Sequence, residues 1–468
     1  MLSNSNEPDV YVERFATNDF LIWKEQYSAT KALMVRGCRQ VGKTRLVKHF
    51  ADEQYKNVIY IDIRSDKEAA DCLAQVGDFD VSDKLAALCK RRNWSFTNDQ
   101  NSVLVLDEVQ EDKGIYERIR TFNRNLNCDV IVTGSNLKLA QDYFQPAGDC
   151  YTVTIHPFSF EEILNFYGGY EYYQTHTIQE IAEERFDWFF DLYNLYLIIG
   201  GYPEVFLEYL RKARIGDVDI TALDSVYEEI LNCFKNEFRV RASDVSDFDK
   251  IEVMFSAMCT LMCNEKKGNA NNVEKLSKIT EQVSSKRIST AECNNALSWL
   301  RASNIISYCD KLDLNTGKRY NSERFYFNDV GLFNYLCRKN CIAKSAISGL
   351  LAETFVFKEI NENHFIDRFY NDRPAFAIMQ QYELDFVVVS KYDECTYGIE
   401  VKSSDNTGKS IRSALDTDKI QYAVYARALK SFGNTEKSFT LPIFLIGKFG
   451  FDKGTKVERS IPKPMNFF

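Results

Sequence analysis

The stretch Ala32-Leu33-Met34-Val35-Arg36-Gly37-Cys38-Arg39-Gln40-Val41-Gly42-Lys43-Thr44-Arg45-Leu46-Val47 decides how this chain is read. Its centre, Gly37 to Thr44, is a complete G-x-x-x-x-G-K-[ST] loop. An apolar run leads into it and a helical pattern, Arg45 to Phe50, leads out, which is the strand–loop–helix context the motif requires. In that setting Gly37 and Gly42 let the backbone turn a nest of N–H groups around phosphate. Lys43 reaches the β- and γ-phosphates of ATP, and Thr44 offers its hydroxyl to Mg²⁺. The helix that follows points the positive end of its dipole at the same anion. Arg39, Gln40 and Val41 inside the loop, and Arg45 just beyond it, join the nucleotide-binding set.

Working outward, strand-like runs recur at Leu33–Val35, Val58–Ile63, Val103–Leu106, Val130–Thr133 and Tyr151–Ile155, most of them separated by helical stretches. This alternation predicts a parallel α/β sheet, with ligands at the carboxyl ends of its strands. The third run ends Leu106-Asp107-Glu108. Asp107 is expected to hold Mg²⁺, through water, and Glu108 to polarise the attacking water as general base. The fourth run ends Gly134-Ser135-Asn136. Ser135 or Asn136 is expected beside the γ-phosphate, and the sequence does not choose between them.

Length and composition bound the rest. At 468 residues the chain has room for about three domains. With 8 Pro and 21 Gly it carries no long flexible linker. The net charge of −9 gives no global basic field, so any DNA contact must rest on a local patch. The 13 Cys are odd in number and scattered, which points to a reduced, cytoplasmic setting. Cys259/Cys263 and Cys337/Cys341 are each four apart, but a structural zinc needs four ligands, so these read as core thiols. The first ten residues are polar rather than signal-like. No apolar run approaches the ~18 residues of a membrane span.

From Phe158 to about Val240 the pattern is helical and very aromatic, as in Trp188-Phe189-Phe190-Asp191-Leu192-Tyr193, and predicts a packed helical lid. Three helical segments follow: Glu252 to Cys263, Val273 to Ile279, and Ser289 to Arg301. A strand pair, Ile305–Cys309 with Arg324–Phe327, then completes a winged-helix order. The loop Lys311 to Arg319 is the expected basic wing. The third helix is poor in cations, which favours a packing or spacing role over direct DNA reading.

Nearer the C-terminus, Glu353 lies on a helix, Asp385 on a strand and Glu400-Val401-Lys402 on the next strand. Residues i and i+2 of a strand face the same side, so Glu400 and Lys402 project together. Two carboxylates, Asp385 and Glu400, can hold Mg²⁺ while Lys402 orients a water for phosphodiester attack. Glu353 is the candidate to complete the metal shell.

Taken in order, Gly-Cys-Arg-Gln-Val-Gly-Lys-Thr, Leu-Asp-Glu-Val-Gln, Val-Thr-Gly-Ser-Asn, His156-Pro157-Phe158-Ser159-Phe160-Glu161-Glu162 and Gly200-Gly201-Tyr202-Pro203-Glu204-Val205 resemble the bacterial and archaeal AAA-type ATPases that carry a C-terminal domain of unknown function. The resemblance implies an α/β P-loop AAA-type ATPase domain at 1–157 and a helical lid at 158–245. It further implies a winged-helix domain at 246–340 and a restriction-endonuclease-like α/β domain at 341–468. The implied activity is ATP binding and hydrolysis, with the nucleotide state controlling a nuclease-like domain directed at nucleic acid. An ATP-dependent assembly switch, or a DNA-binding regulator with an inactive nuclease-like domain, is the alternative, and a homo-oligomer or a protein partner is compatible with either. One departure stands out: relatives usually carry Gly-Arg where this chain has Gly148-Asp149. Arg118, Arg120 and Arg124 are the candidate replacements for that cation.

Overall fold

The computed structural model describes residues 10–135, 148–216, 219–241, 250–264, 272–284, 287–322, 324–366, 373–379, 382–402 and 408–457. Its contacts divide into two units. The first comprises Met1–Gly168, Ile199–Phe248 and Asn295–Ile306; the second comprises Gly169–Ile198, Asp249–Asn294 and Ser307–Phe468.

In the first unit, β1 (Ala32–Gly37), β2 (Asn57–Asp62), β3 (Ser102–Asp107), β4 (Asp129–Gly134) and β5 (Cys150–Ile155) form one sheet in the order β2-β3-β4-β1-β5. Every neighbouring pair is parallel. β3 and β4 are buried along their whole length, which is why both read as unbroken apolar runs rather than alternations. Helices Val81–Arg92 and Ile119–Asn125 supply Leu85, Leu88, Ile119 and Phe122 to the core against Ile59, Leu104 and Val130. The parallel register sets all five carboxyl ends at one edge, and the phosphate loop leaves β1 there.

The second unit holds an eight-stranded sheet and a separate two-stranded ladder. The short strands are β6 (Ile306–Tyr308), β7 (Asp310–Leu312), β8 (Arg319–Tyr320) and β9 (Phe325–Phe327). The longer ones are β10 (Ala375–Met379), β11 (Tyr382–Val389), β12 (Thr396–Lys402), β13 (Tyr422–Arg427) and β15 (Ser438–Pro442), with the two-residue β14 (Gly433–Asn434) at the edge. The large sheet runs β14-β15-β13-β12-β11-β10-β7-β8, while β6 pairs with β9. β10, β11 and β12 form an antiparallel meander; the helix Lys409–Asp416 then crosses over, and β13 returns parallel to β12. Ile411 and Ala414 of that helix pack on Leu384, Val387 and Ala423.

The expected strand pair is present as β6 and β9, but the expected wing loop is not a free loop. Lys311 and Leu312 pair with Tyr320 and Arg319, and β7 extends the large sheet by lying parallel to β10. The reason is the turn Asp313 to Gly317, in which Gly317 takes φ +68° and its N–H donates to Asp313, so the flanking residues zip into a hairpin. The third helix is Thr290–Ala302, and Ser289 and Glu292 close a capping box at its start. The aromatic helix Phe186–Ile199 buries Phe189, Tyr193 and Tyr196, as a core stripe should. Among the described residues, no helix is long and apolar enough to cross a membrane.

Candidate functional site

Two glycines shape the phosphate loop. Gly37 sits at φ +153°, and a Cβ there would lie 2.1 Å from the Ile155 carbonyl oxygen of β5, so no larger residue fits without moving the strand. Gly42 takes φ +85° and caps the helix Lys43–Gln54. Between them Gln40 is also left-handed, at φ +66°. Lys43 is buried, and its Nζ donates to the carbonyls of Gly37 at 3.1 Å and Cys38 at 2.8 Å. Burial pushes its pKa down, while Glu108, Cys38, Glu237 and Asp107 pull it back up. The amine is therefore held at the loop, with burial outweighing the pull of the four acidic groups.

Thr44 and Asp107 come from different elements and meet: the Thr44 hydroxyl donates to Asp107 Oδ2 at 2.8 Å. Asp107 also accepts from the Tyr60 hydroxyl at 2.5 Å and from the Thr133 hydroxyl. A hydroxyl and a carboxylate in contact beside a buried lysine fit the Mg²⁺ that accompanies a triphosphate, so Thr44 and Asp107 are the residues that would hold it.

Glu108 lies at φ +57°, which turns the chain out of β3. Its N–H donates to Thr133 Oγ1 at 3.3 Å and its Oε2 accepts from the Gln110 amide. That amide also reaches Ser135 Oγ at 3.4 Å. Ser135 in turn donates to Glu237 Oε1 at 2.8 Å, and the other oxygen of Glu237 pairs with Arg39 Nε at 2.9 Å. Ser135 thus takes a position in the site, whereas Asn136 lies outside the described residues. Arg39 faces Glu237, and Gln40 reaches Cys233 Sγ at 3.5 Å. Cys38 is buried below the loop against the Tyr202 hydroxyl, and burial pushes its thiol up to about 12.

The loop is pinned from outside by Arg14, which sequence reading missed. Arg14 donates to the Val41 carbonyl at 2.9 Å and to the His156 carbonyl at 2.7 Å, pairs with Glu162 at 3.0 Å, and lies over the Phe158 ring. Glu162 is also the third helical residue of Phe160–Phe166, where it closes a capping box with Ser159. The His156 to Glu162 motif therefore does two jobs: it starts a helix and it anchors the arginine that holds the loop. Gly201 packs so closely on Phe158 that a Cβ would lie 2.1 Å from its carbonyl oxygen. Arg45 donates to the Val10 carbonyl at 2.8 Å. Val12, Arg14, Gly42, Phe158, Pro203 and Leu207 are among the residues lining a small, mostly apolar cavity of about 30 Å³ next to the loop.

Asp149, the departure from the family pattern, is at the other end of the sheet. It immediately precedes β5, whose first residue Cys150 is level with Ala32 at the start of β1. Arg124 pairs with Asp149 at 2.8 Å and Arg120 at 3.4 Å, while Arg118 donates to the carbonyls of Val76 and Gly114. None of these three arginines stands in for a cation at the phosphate loop. Arg120 and Arg124 belong with Asp149 to the sheet edge opposite it.

The C-terminal residues assemble in part. Phe386 pairs with Ile399, which sets Asp385 directly across from Glu400 on the same face. Both are buried. Asp385 Oδ2 accepts from the Val401 N–H at 2.8 Å, and Lys402 Nζ pairs with Glu400 Oε1 at 2.6 Å. The i, i+2 expectation for Glu400 and Lys402 thus has its ion pair. Glu353 lies on the long helix Lys344–Ile366, half-buried. Among the described residues, no three His, Cys, Asp or Glu side chains come together as metal ligands. Glu353 and Asp385 both act on the buried Tyr326 hydroxyl, which is pushed well up first by burial and then by these carboxylates against the opposing pull of Arg324.

Residues 29–164 match the family model of an AAA domain. The match, with the phosphate loop and the parallel sheet, supports a P-loop AAA-type ATPase domain in this segment. Residues 190–341 match a second model, a domain of unknown function, so that match covers the middle of the chain rather than its C-terminus. No curated protein matches. Among solved structures, the chain is similar to the Walker-type ATPase PABY2304 of Pyrococcus abyssi, at 15% identity and TM-score 0.44, over 70% of this chain and 96% of that one. It is also similar to the Aeropyrum pernix Orc1 protein in complex with DNA, at 14% identity and TM-score 0.30, over 73% and 95%. AMPPCP-bound DnaA from Aquifex aeolicus follows at 14% identity and TM-score 0.30, over 63% and 88%.

Proposed function

We propose that this chain is a cytoplasmic ATPase that hydrolyses ATP with Mg²⁺ and whose nucleotide state controls a nuclease-like domain directed at nucleic acid. The observation that carries the first part is the meeting of Thr44 and Asp107 beside buried Lys43, with Glu108 one residue further on. In this mechanism the loop N–H groups and Lys43 bind the phosphates, and Thr44 and Asp107 would hold Mg²⁺, which would supply charge neutralisation. Glu108 takes the proton from the attacking water. Turnover on the purified chain tests this. Glu108→Gln is expected to keep ATP binding and lower hydrolysis by about 10²- to 10⁴-fold; an unchanged rate removes Glu108 from the mechanism.

For the C-terminal residues, the meander β10-β11-β12, the crossover helix and the parallel return of β13 support a restriction-endonuclease-like reading. The cross-strand pair Asp385 and Glu400, with Lys402 on Glu400, supports a Mg²⁺ site. Mg²⁺ is commonly held by one or two carboxylates plus phosphate oxygens and water, so this pair fits a metal that binds together with DNA. The proposed division keeps the ATPase domain at 1–157, the lid at 158–245, the winged-helix-like segment at 246–340 and the nuclease-like domain at 341–468. The buried Glu400 held by Lys402 also supports a second reading, in which the C-terminal domain binds DNA or a protein partner without cutting. Mg²⁺-dependent cleavage that disappears in Asp385→Asn supports the nuclease; cleavage unchanged by that substitution removes it.

A further inference from the structure

We infer that Glu237 is the residue that makes the phosphate site distinguish ATP from ADP, by occupying the donors a third phosphate needs. The inference rests on the reading of this site as an ATP site. Glu237 belongs to the helix Ile220–Arg241, far in sequence from every motif of the loop. Its side chain is 4% exposed. One carboxylate oxygen accepts from Ser135 Oγ at 2.8 Å and the other pairs with Arg39 Nε at 2.9 Å. It also lies close enough to Lys43 to help keep that amine charged.

Ser135, Arg39 and Lys43 are a hydroxyl, a guanidinium and an ammonium, the donor set that recognises a phosphate. Here a carboxylate already holds the Ser135 hydroxyl and pairs with Arg39, next to Lys43. Two anions cannot share these donors at close range in a buried setting, so an arriving terminal phosphate displaces Glu237. ADP, one phosphate shorter, leaves Glu237 where it is. Displacement has two consequences. The helix Ile220–Arg241 loses its tie to β4 and to the loop. Ser135 is also released toward the Gln110 amide, 3.4 Å away, which is the group that holds the Glu108 carboxylate. Glu237, Ser135 and Gln110 thus form a relay from the third phosphate to the general base.

Paired affinities of the full chain for ATP and ADP, measured by fluorescence or calorimetry in the Glu108→Gln background to stop turnover, test the relay. Glu237→Gln keeps a hydrogen-bond acceptor for Ser135 but removes the charge. It is expected to tighten ATP at least about 10-fold while leaving ADP within about 2-fold, because only like-charge competition is removed. An unchanged ATP-to-ADP ratio, or weaker ATP binding, overturns the inference. Should the substitution lower the melting temperature sharply, amide hydrogen exchange on the Glu108→Gln chain decides instead. Exchange across Ile220–Arg241 is expected to rise with ATP and not with ADP, and equal exchange in both overturns the relay. If the Glu108→Gln chain binds neither nucleotide, the ATP-site reading itself fails, which is a separate outcome from a chain that binds both without a Glu237 effect.

Discussion

The phosphate site and the C-terminal acidic pair use the same atoms differently. Both set carboxylates beside a lysine and both suit Mg²⁺. At the phosphate site, Lys43 and Thr44 are fixed by one continuous loop whose glycines allow a single backbone path, and Asp107 meets Thr44 directly. At the acidic pair, Asp385, Glu400 and Lys402 depend on the register of two strands, and the fourth candidate, Glu353, comes from a separate helix. A site built by a short stretch of chain is complete before its ligand arrives. A site built by register sets two carboxylates and one cation on one face, and its geometry follows the strand pairing.

The sharpest way to separate the two is to remove each lysine. Lys43→Ala is expected to weaken ATP binding by about 100-fold or more, since it deletes a buried charge-assisted contact to phosphate. Lys402→Ala should leave ATP binding alone and act on stability, because it strips the partner from the buried Glu400. Loss of ATP binding in Lys402→Ala would break the separation.

Next in size is the scaffold. Arg14→Ala removes a buried partner from Glu162 and two donors from the carbonyls of Val41 and His156, and is expected to cost about 3–5 kcal/mol in chemical denaturation. A cost below about 1 kcal/mol would show that the loop does not need this pin. Asp385→Asn keeps the shape of the acidic pair and lowers its charge. It is expected to change stability by no more than about 1–3 kcal/mol, as the Val401 N–H can still be satisfied by the amide oxygen.

The smallest effect belongs to Glu292, held by Lys250 at 2.7 Å and by the Ser289 cap. These contacts pull its pKa down to about 2, the Lys250 contact first. A depressed carboxylate stabilises the fold above its unfolded pKa of roughly 4.5, and that contribution disappears as pH falls from there toward 2. The pair is partly exposed, so Glu292→Gln is expected to cost under about 1 kcal/mol at pH 7 and nothing at pH 2. A cost that persists at pH 2 would assign the effect to the cap rather than to charge.

Much of this was legible in sequence because it is local. The loop, the Asp107-Glu108 strand end, the Ser289 cap and the i, i+2 pair Glu400 and Lys402 each need only neighbouring residues and a period. The five parallel strands were legible for the same reason, as continuous apolar runs mark buried strands. What escaped needs long-range contacts. Arg14 and Glu237 sit on opposite flanks of the motif with no pattern around them, and only the fold brings them to the loop. The role of Gln110 was one step from legible, two residues past Glu108 on a turn that left-handed Glu108 creates. The pairing of the expected wing, Lys311 to Arg319, escaped because a basic, glycine-containing loop has the same composition whether it hangs free or zips onto a sheet edge.

The most direct test of the central claim is the Mg²⁺ dependence of ATP affinity in the wild-type chain and in Asp107→Asn. The Thr44–Asp107 contact predicts that Mg²⁺ tightens ATP binding in the wild type and that the substitution removes most of that gain. The same Mg²⁺ dependence in both proteins would contradict it.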